Sequence, residues 1–378
     1  MLAPGHREQG TAGPLRVLIA GGGTGGHAIP ALAIARELRD SHNAEVRFVG
    51  TARGLETRLV PEAGFRLVLV RSGQLKNVSL MTRLRTAIDL PVGVIECIRL
   101  LREFRPQVVV GVGGYASGPA MIAALLLRVP TLAFEPNAVP GLANRLVGRW
   151  VSAAAVNFAP TQHYFRNARV TGIPVRAEFF TIERKPANTP LRLLVFGGSQ
   201  GARVLNQAMP KIAQRLLDKF AGLQIVHQAG ARHAETTAEA YARAGLSGQQ
   251  TAQNIRVQPY LDQMASEFAA ADLLLCRSGA STMAELGAAG RASLLVPFAL
   301  ATDDHQRRNA EVFLQAGAAR MLTESELADP DRLMQELAVL LSDKAKLQGM
   351  GDHARALARP DAARQIALMI VELAAKAG

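Results

Sequence analysis

Short runs rich in β-branched and other apolar residues alternate along the chain with stretches whose apolar residues recur at helical spacing. The runs are "RVLIA", "EVRFVG", "QVVVGVG", "TLAFE" and "SAAAVNF" in the first half, then "RLLVFGG", "LQIVHQ", "IRVQPY", "DLLLCR" and "ASLLVPF". These runs predict strands. With helical segments such as "IPALAIAREL" between them, the order is that of a doubly wound parallel α/β sheet. The pattern also repeats. "LRVLIAGGGTGGH" begins at Leu15 and "LRLLVFGGSQGAR" at Leu191, and each is followed by a second strand with its own glycines, "VVVGVGGYASG" from Val108 and "LLLCRSGASTMAE" from Leu273.

Two Rossmann-like domains in tandem are therefore expected, over residues 1–172 and 173–359, joined through "TGIPVR" and the polar, proline-containing "ERKPANTP". Parallel sheets bind ligands at the carboxyl ends of their strands. Two such sheets facing each other are expected to form a cleft lined by glycine loops. The final "PDAARQIALMIVELAAKAG" predicts an amphipathic helix after Pro360, expected to pack on the first domain. A chain of 378 residues agrees with two domains, since a domain usually takes about 100–200 residues.

Charge narrows the partners. Lys and Arg number 43 against 31 Asp and Glu, a net +12, which points to an anionic partner: nucleic acid, acidic lipid or a phosphorylated substrate. Nucleic acid is disfavoured, because only 5% of residues are aromatic and no binding module stands out. From Arg71 to Arg105 the basic residues Arg71, Lys76, Arg83, Arg85, Arg99, Arg102 and Arg105 alternate with Leu75, Val78, Leu80, Met81, Leu84, Ile88 and Leu90. This reads either as a solvated helix face or as one that rests on anionic headgroups. Cys97 and Cys276 lie in apolar patterns without a CxxC pair, so neither a disulfide framework nor a zinc site is implied. The N-terminus lacks the order of a signal peptide and the longest uncharged run is broken by glycine and proline, so a cytosolic protein with at most peripheral membrane contact is expected.

"VLIAGGGTGGH" places five glycines between a strand and a helix, the layout that brings main-chain N–H groups up to phosphate. It contains GxGxxG at Gly21, Gly23 and Gly26, but the second strand ends on Gly50 and Thr51, where a dinucleotide site would place a ribose-binding acid. His27 stands where the helix begins. It is either a polar residue near the cap or a general base, because a helix N-terminus keeps imidazole neutral. Glu285 follows Thr282 by three residues in "CRSGASTMAE". Sequence physics favours a capping box; the alternative is a carboxylate that accepts hydrogen bonds from a ribose diol.

"GGGTGGH", "GVGGYASGP", "EPNAVPGLANR", "GIPVR", "GGSQGA", "RSGASTMAE" and "DDHQRRNA", in this order from about Leu15 to Asn309, resemble the MurG family of N-acetylglucosaminyltransferases of peptidoglycan synthesis. The resemblance implies a GT-B fold and transfer of N-acetylglucosamine from UDP-N-acetylglucosamine to undecaprenyl-diphosphate-linked N-acetylmuramoyl-pentapeptide, lipid I, on the cytoplasmic face of the cell inner membrane, with no cofactor and no resident metal. The first glycine loop would then face the acceptor diphosphate. Ser199 and Arg176 would meet the donor phosphates and Ala280, Ser281 and Thr282 the diphosphate, with Gln200, Met283 and Ala284 also among the substrate-binding residues. The backbone at Leu261 would meet the uracil and Glu285 the ribose. Gln306 and Asn137 would hold the sugar, and Thr24, Gly25 and Gly26 would reach the donor from the other domain. His27 is the implied base, with Glu135 and Tyr115 as further candidates. The family reads "HEQN" where this chain has "FEPN", and Phe134 and Pro136 accept no proton, which favours His27. Ile173 also replaces a usual Asn. No DxD-like cluster is evident, and "TDDH" at Thr302–His305 is assigned to sugar contacts. The alternatives within the fold are a transferase acting on another lipid and a UDP-sugar epimerase; outside enzymes, it is a membrane-surface scaffold.

Overall fold

The computed structural model describes residues 13–23, 25–52, 54–72, 80–186, 188–246 and 254–376. Among the described residues thirteen strands form two sheets: β1 Arg16–Ala20, β2 Glu45–Gly50, β3 Arg66–Leu69, β4 Val108–Gly111, β5 Thr131–Glu135, β6 Ala153–Val156 and β7 Ala168–Val170 in one, and β8 Arg192–Phe196, β9 Gln224–Gln228, β10 Ile255–Gln258, β11 Leu273–Cys276, β12 Ala292–Leu295 and β13 Ala319–Met321 in the other. The first runs in the order β3-β2-β1-β4-β5-β6-β7 and the second β10-β9-β8-β11-β12-β13. The same doubly wound order thus occurs twice, as the sequence repeat predicts. The switch points fall between β1 and β4 and between β8 and β11, and the glycine segments follow those four strands.

The central strands are apolar throughout because both faces are covered. In the second sheet Leu193 and Val195 of β8, Leu273 and Leu275 of β11 and Ile225 of β9 enter one core with Leu205, Met209 and Leu337. Leu194, Phe196, Leu274, Cys276 and Val226 enter another with Phe179, Phe268 and Phe313. The period of two is intact, with apolar residues on both phases. The parallel registers Leu193↔Ile225 and Leu193↔Leu273 align these rows. The sequence reading misses β3, β7 and β13, which are short edge strands with exposed or half-exposed positions. Cys97 and Cys276 are buried free thiols, and burial pushes the Cys97 thiol up to about 12.

The chain divides into two compact units. One runs through Phe134 and includes Leu146–Ala153 and the chain from Arg364; the other comprises Glu135–Arg145 and Ala154–Ala363. The terminal helix is Ala362–Ala375. No helix among the described residues is long and apolar enough to cross a membrane.

Two turns at the carboxyl ends of strands bring main chain against main chain. A Cβ on Gly114, whose φ is +79°, would stand 2.2 Å from the Gly22 carbonyl oxygen, and one on Gly201, φ +72°, would stand 1.9 Å from that of Ala229. Gly349, inside the helix Lys344–Ala356, faces open space. Gly114→Ala is expected to cost about 2 kcal/mol or more through strain and clash, whereas Gly349→Ala stabilises by about 1 kcal/mol through helix propensity. Urea denaturation of both variants checks this, and similar effects at the two sites would contradict it.

Candidate active site

In the second unit the helix Ala280–Ala289 starts directly after β11. Its N-cap is Gly279, no side chain caps it, and its first turn holds no acid. The first-turn N–H groups of Ala280, Ser281 and Thr282 therefore form an uncompensated positive end. Because the helix begins at Ala280, Thr282 and Glu285 lie inside it. The capping-box expectation is corrected by one turn of register; a true box occurs instead at Thr323 and Glu326. Glu285 is half-buried. Burial pushes its carboxyl up to about 7, the Arg176 guanidinium pulls it down and Glu178 raises it. Arg176 itself pairs with Glu178 at 2.9 Å and lies over the Phe179 ring.

Beside the helix start, the Ser278 hydroxyl donates to the Gln306 carbonyl, and the Gln306 Oε1 accepts the Phe298 N–H at 3.0 Å. Asn309, fully buried, donates through Nδ2 to the Ser278 carbonyl and to Asn137 Oδ1, and accepts the Ala138 N–H at 2.8 Å. Asn137, Gln306 and the start of the helix are thus one hydrogen-bonded assembly. Ser199 and Gln200 are exposed on the turn after β8, and the Gln228 amide donates to the Gly198 carbonyl at that turn.

Glu135, at the end of β5, is a candidate base in the sequence, and the structure closes it. It is 2% exposed. Oε1 accepts the Asn137 N–H and Nδ2, and Oε2 accepts the Gly141 N–H and Asn144 Nδ2, at 3.0–3.2 Å. Burial raises its carboxyl above the usual range, against these four donors that hold it down. The group shapes the loop 135–144 and presents no lone pair to a substrate.

In the first unit, the helix Gly25–His42 follows the glycine turn and has no acid in its first turn. His27 is its third residue, half-buried, and a Cβ on Gly113 would lie 3.0 Å from its Nε2. The ring thus lies against the glycine turn after β4. Tyr115 is 45% exposed, and its carbonyl accepts the Ser72 hydroxyl. The glycine turn itself spends its amides inward: Gly21 N–H donates to the Val49 carbonyl and Gly23 N–H to Glu56. Gly21 and Gly23 thus drop out of the amides this run was expected to present to phosphate. Thr24 lies outside the described residues.

Residues 17–156 match the glycosyltransferase family 28 N-terminal domain and residues 192–366 the family 28 C-terminal domain. The chain belongs to glycosyltransferase family 28. A Solibacter usitatus protein with the name UDP-N-acetylglucosamine--N-acetylmuramyl-(pentapeptide) pyrophosphoryl-undecaprenol N-acetylglucosamine transferase is 44% identical, with 94% of this chain and 96% of that one covered. The Nitrosococcus oceani protein of the same name is 43% identical over 95% of this chain and 99% of its own. The crystal structure of Acinetobacter baumannii MurG superposes with a TM-score of 0.80 at 30% identity, covering 95% of this chain and 100% of that one. With its two parallel sheets, the chain has the GT-B fold. A Listeria monocytogenes putative UDP-N-acetylglucosamine 2-epimerase, at a TM-score of 0.66 and 13% identity, shares the fold alone.

As a family 28 chain, its described site residues sort by what they expose. Leu261 and Met283 have their side chains in the core, so only their main chain is available to a ligand. Ala284 is half-buried. Among the described residues no cluster of three or more His, Cys, Asp or Glu side chains could hold a metal ion. Sequence reasoning misses Glu56, Asn144 and Asn309. Asn309 sits three residues after Gln306, one turn along the same helix, and that spacing is the signal that could have found it.

Two outcomes test this family 28 site. Glu135→Ala removes the acceptor of four donors, of which the Asn144 amide is buried, and is expected to cost about 2 kcal/mol; unchanged stability in denaturant would contradict the loop-shaping role. For Glu285 the folded-state carboxyl is raised from 4.5 to about 7, so the unfolded chain ionises first as pH rises. Its stabilising contribution is complete below about 4.5 and is lost as pH climbs to about 7. The Tm of the wild type relative to Glu285→Gln should fall over that window, and a flat difference would refute it.

Proposed function

We propose that this family 28 chain transfers N-acetylglucosamine from UDP-N-acetylglucosamine to the 4-hydroxyl of the N-acetylmuramoyl-pentapeptide of lipid I, giving lipid II in peptidoglycan synthesis. Identity above 40% over nearly the whole chain to transferases of that name carries the reading. The donor half is supported by geometry inside the second unit. An uncapped helix start suits a diphosphate, and Glu285, one turn further, suits a ribose diol, because an ionised carboxylate accepts from both hydroxyls.

The chemistry is a single in-line displacement at the anomeric carbon. His27 takes the proton of the attacking hydroxyl; at a helix N-terminus its neutral form is favoured, so it can accept one near neutral pH. Charge that develops on the departing UDP is met by the first-turn amides of Ala280–Thr282 and by Arg176. Ser199 meets the phosphates with Gln200 beside it, Gln306 and Asn137 orient the sugar, Thr24, Gly25 and Gly26 reach the donor, and Tyr115 is a further candidate base. The acceptor is lipid-anchored, so the chain works as a peripheral protein on the anionic cytoplasmic face of the inner membrane, in cell-wall growth, cell shape and division. Exposed Leu126 and Trp150 beside exposed Arg128 and Arg149, together with the net +12, favour that surface. Arg71, Arg99, Arg102 and Arg105 are exposed as well; the side chains of the basic segment between 73 and 88 lie outside the described residues.

The purified enzyme with radiolabelled UDP-N-acetylglucosamine and lipid I should yield labelled lipid II. His27→Ala should lower kcat by about 10²-fold or more. Label in another lipid, or free sugar alone, would contradict the acceptor assignment, and wild-type turnover in His27→Ala would remove the base.

A further inference from the structure

The structure assigns a role to a carboxylate that the transfer reaction does not touch: Glu56 positions the first glycine turn. The inference rests on the proposed function for what the turn positions. Glu56 is the first residue of the short helix Glu56–Glu62 and is 2% exposed. Its Oε2 accepts the Gly23 N–H at 2.7 Å, and its Oε1 accepts the Thr51 N–H at 3.0 Å and the Thr51 hydroxyl at 3.2 Å. The Leu55 N–H donates to the Gly23 carbonyl. Both main-chain polar groups of Gly23 are therefore held by the same two residues, 55 and 56.

Three glycines form the socket, Gly22 from the turn after β1 and Gly50 and Gly54 from the end of β2 and the connection that follows it. A Cβ on Gly22 would stand 2.2 Å from the Glu56 carboxyl carbon, one on Gly50 2.6 Å from its Cγ, and one on Gly54 1.8 Å from Oε2. A buried carboxylate is a poor source of stability, since its desolvation offsets its hydrogen bonds and a well-packed apolar group often does as well. What it supplies is geometry. It fixes the turn two residues before the helix Gly25–His42 begins, and so fixes where the first-turn amides and His27 stand. It also occupies the Gly23 amide and places a negative group beneath the turn. An anion is thereby directed to the helix start and away from the glycines. A misplacement of about 1 Å at such a point costs on the order of 10²-fold in rate.

Glu56→Gln keeps the volume but puts an NH2 group against one of the two N–H donors. The expected result is a fall in kcat of tenfold or more per UDP-binding site, with donor KM and UDP Kd within twofold of wild type. Counting sites by UDP titration removes any unfolded fraction, so a role confined to stability would leave this kcat unchanged; kcat within threefold of wild type overturns the proposal. Hydrogen exchange on the wild-type protein tests it without a variant. The Gly23 amide should exchange slowly, and free exchange there overturns it even if Glu56→Gln does not fold. His27→Ala, assayed in parallel, separates the two claims. If it is fully active while Glu56→Gln is slow, the base assignment fails and the hold of Glu56 on the turn stands.

Discussion

Main chain packed on main chain at the carboxyl ends of parallel strands is the constraint from which this structure follows. A parallel sheet brings the starts of its helices to one edge, and they can crowd together there only where side chains are missing. Gly114 lies against the Gly22 carbonyl in the first unit, and Gly201 against the Ala229 carbonyl in the second. The glycines read as a ligand signature in the sequence are in large part a packing requirement between neighbouring turns. What remains for ligands is the positive end of each helix, and in this chain neither Gly25–His42 nor Ala280–Ala289 carries an acid in its first turn.

Polar side chains buried behind those helix starts hold the edge in one shape. Glu56 fixes the turn before His27, Glu135 closes the loop 135–144, and Asn309 ties Asn137 and Ala138 to Ser278. Each has its hydrogen-bonding groups engaged by its own unit, so it holds the backbone around the helix starts. Glu285 differs. Half-buried, with no capping duty and its carboxyl raised to about 7, it carries a cost of burial that hydroxyl donors from a ligand would relieve.

Strand positions and the internal repeat were legible because a doubly covered strand must be apolar on both phases, as Leu193 to Phe196 are. The short, partly wet edge strands β3, β7 and β13 were not, although the edge strand β10 was legible in "IRVQPY". The helix start at Ala280 was misread by about one turn, since Thr282 and Glu285 satisfy a cap spacing locally and only the chain's exit from β11 selects Gly279 as N-cap. Glu135 and Glu285 look alike in sequence. Their roles separate through the number of donors around each, a property of the folded loop and not of any motif.

The central claim is that the second unit grips a nucleotide diphosphate at the start of Ala280–Ala289 with Glu285 on the ribose. A crystal structure of the UDP complex tests it most directly. The account predicts the diphosphate within hydrogen-bond distance of the first-turn amides and the ribose hydroxyls on the Glu285 carboxylate. UDP bound elsewhere on the unit, with Glu285 free of it, would contradict the account.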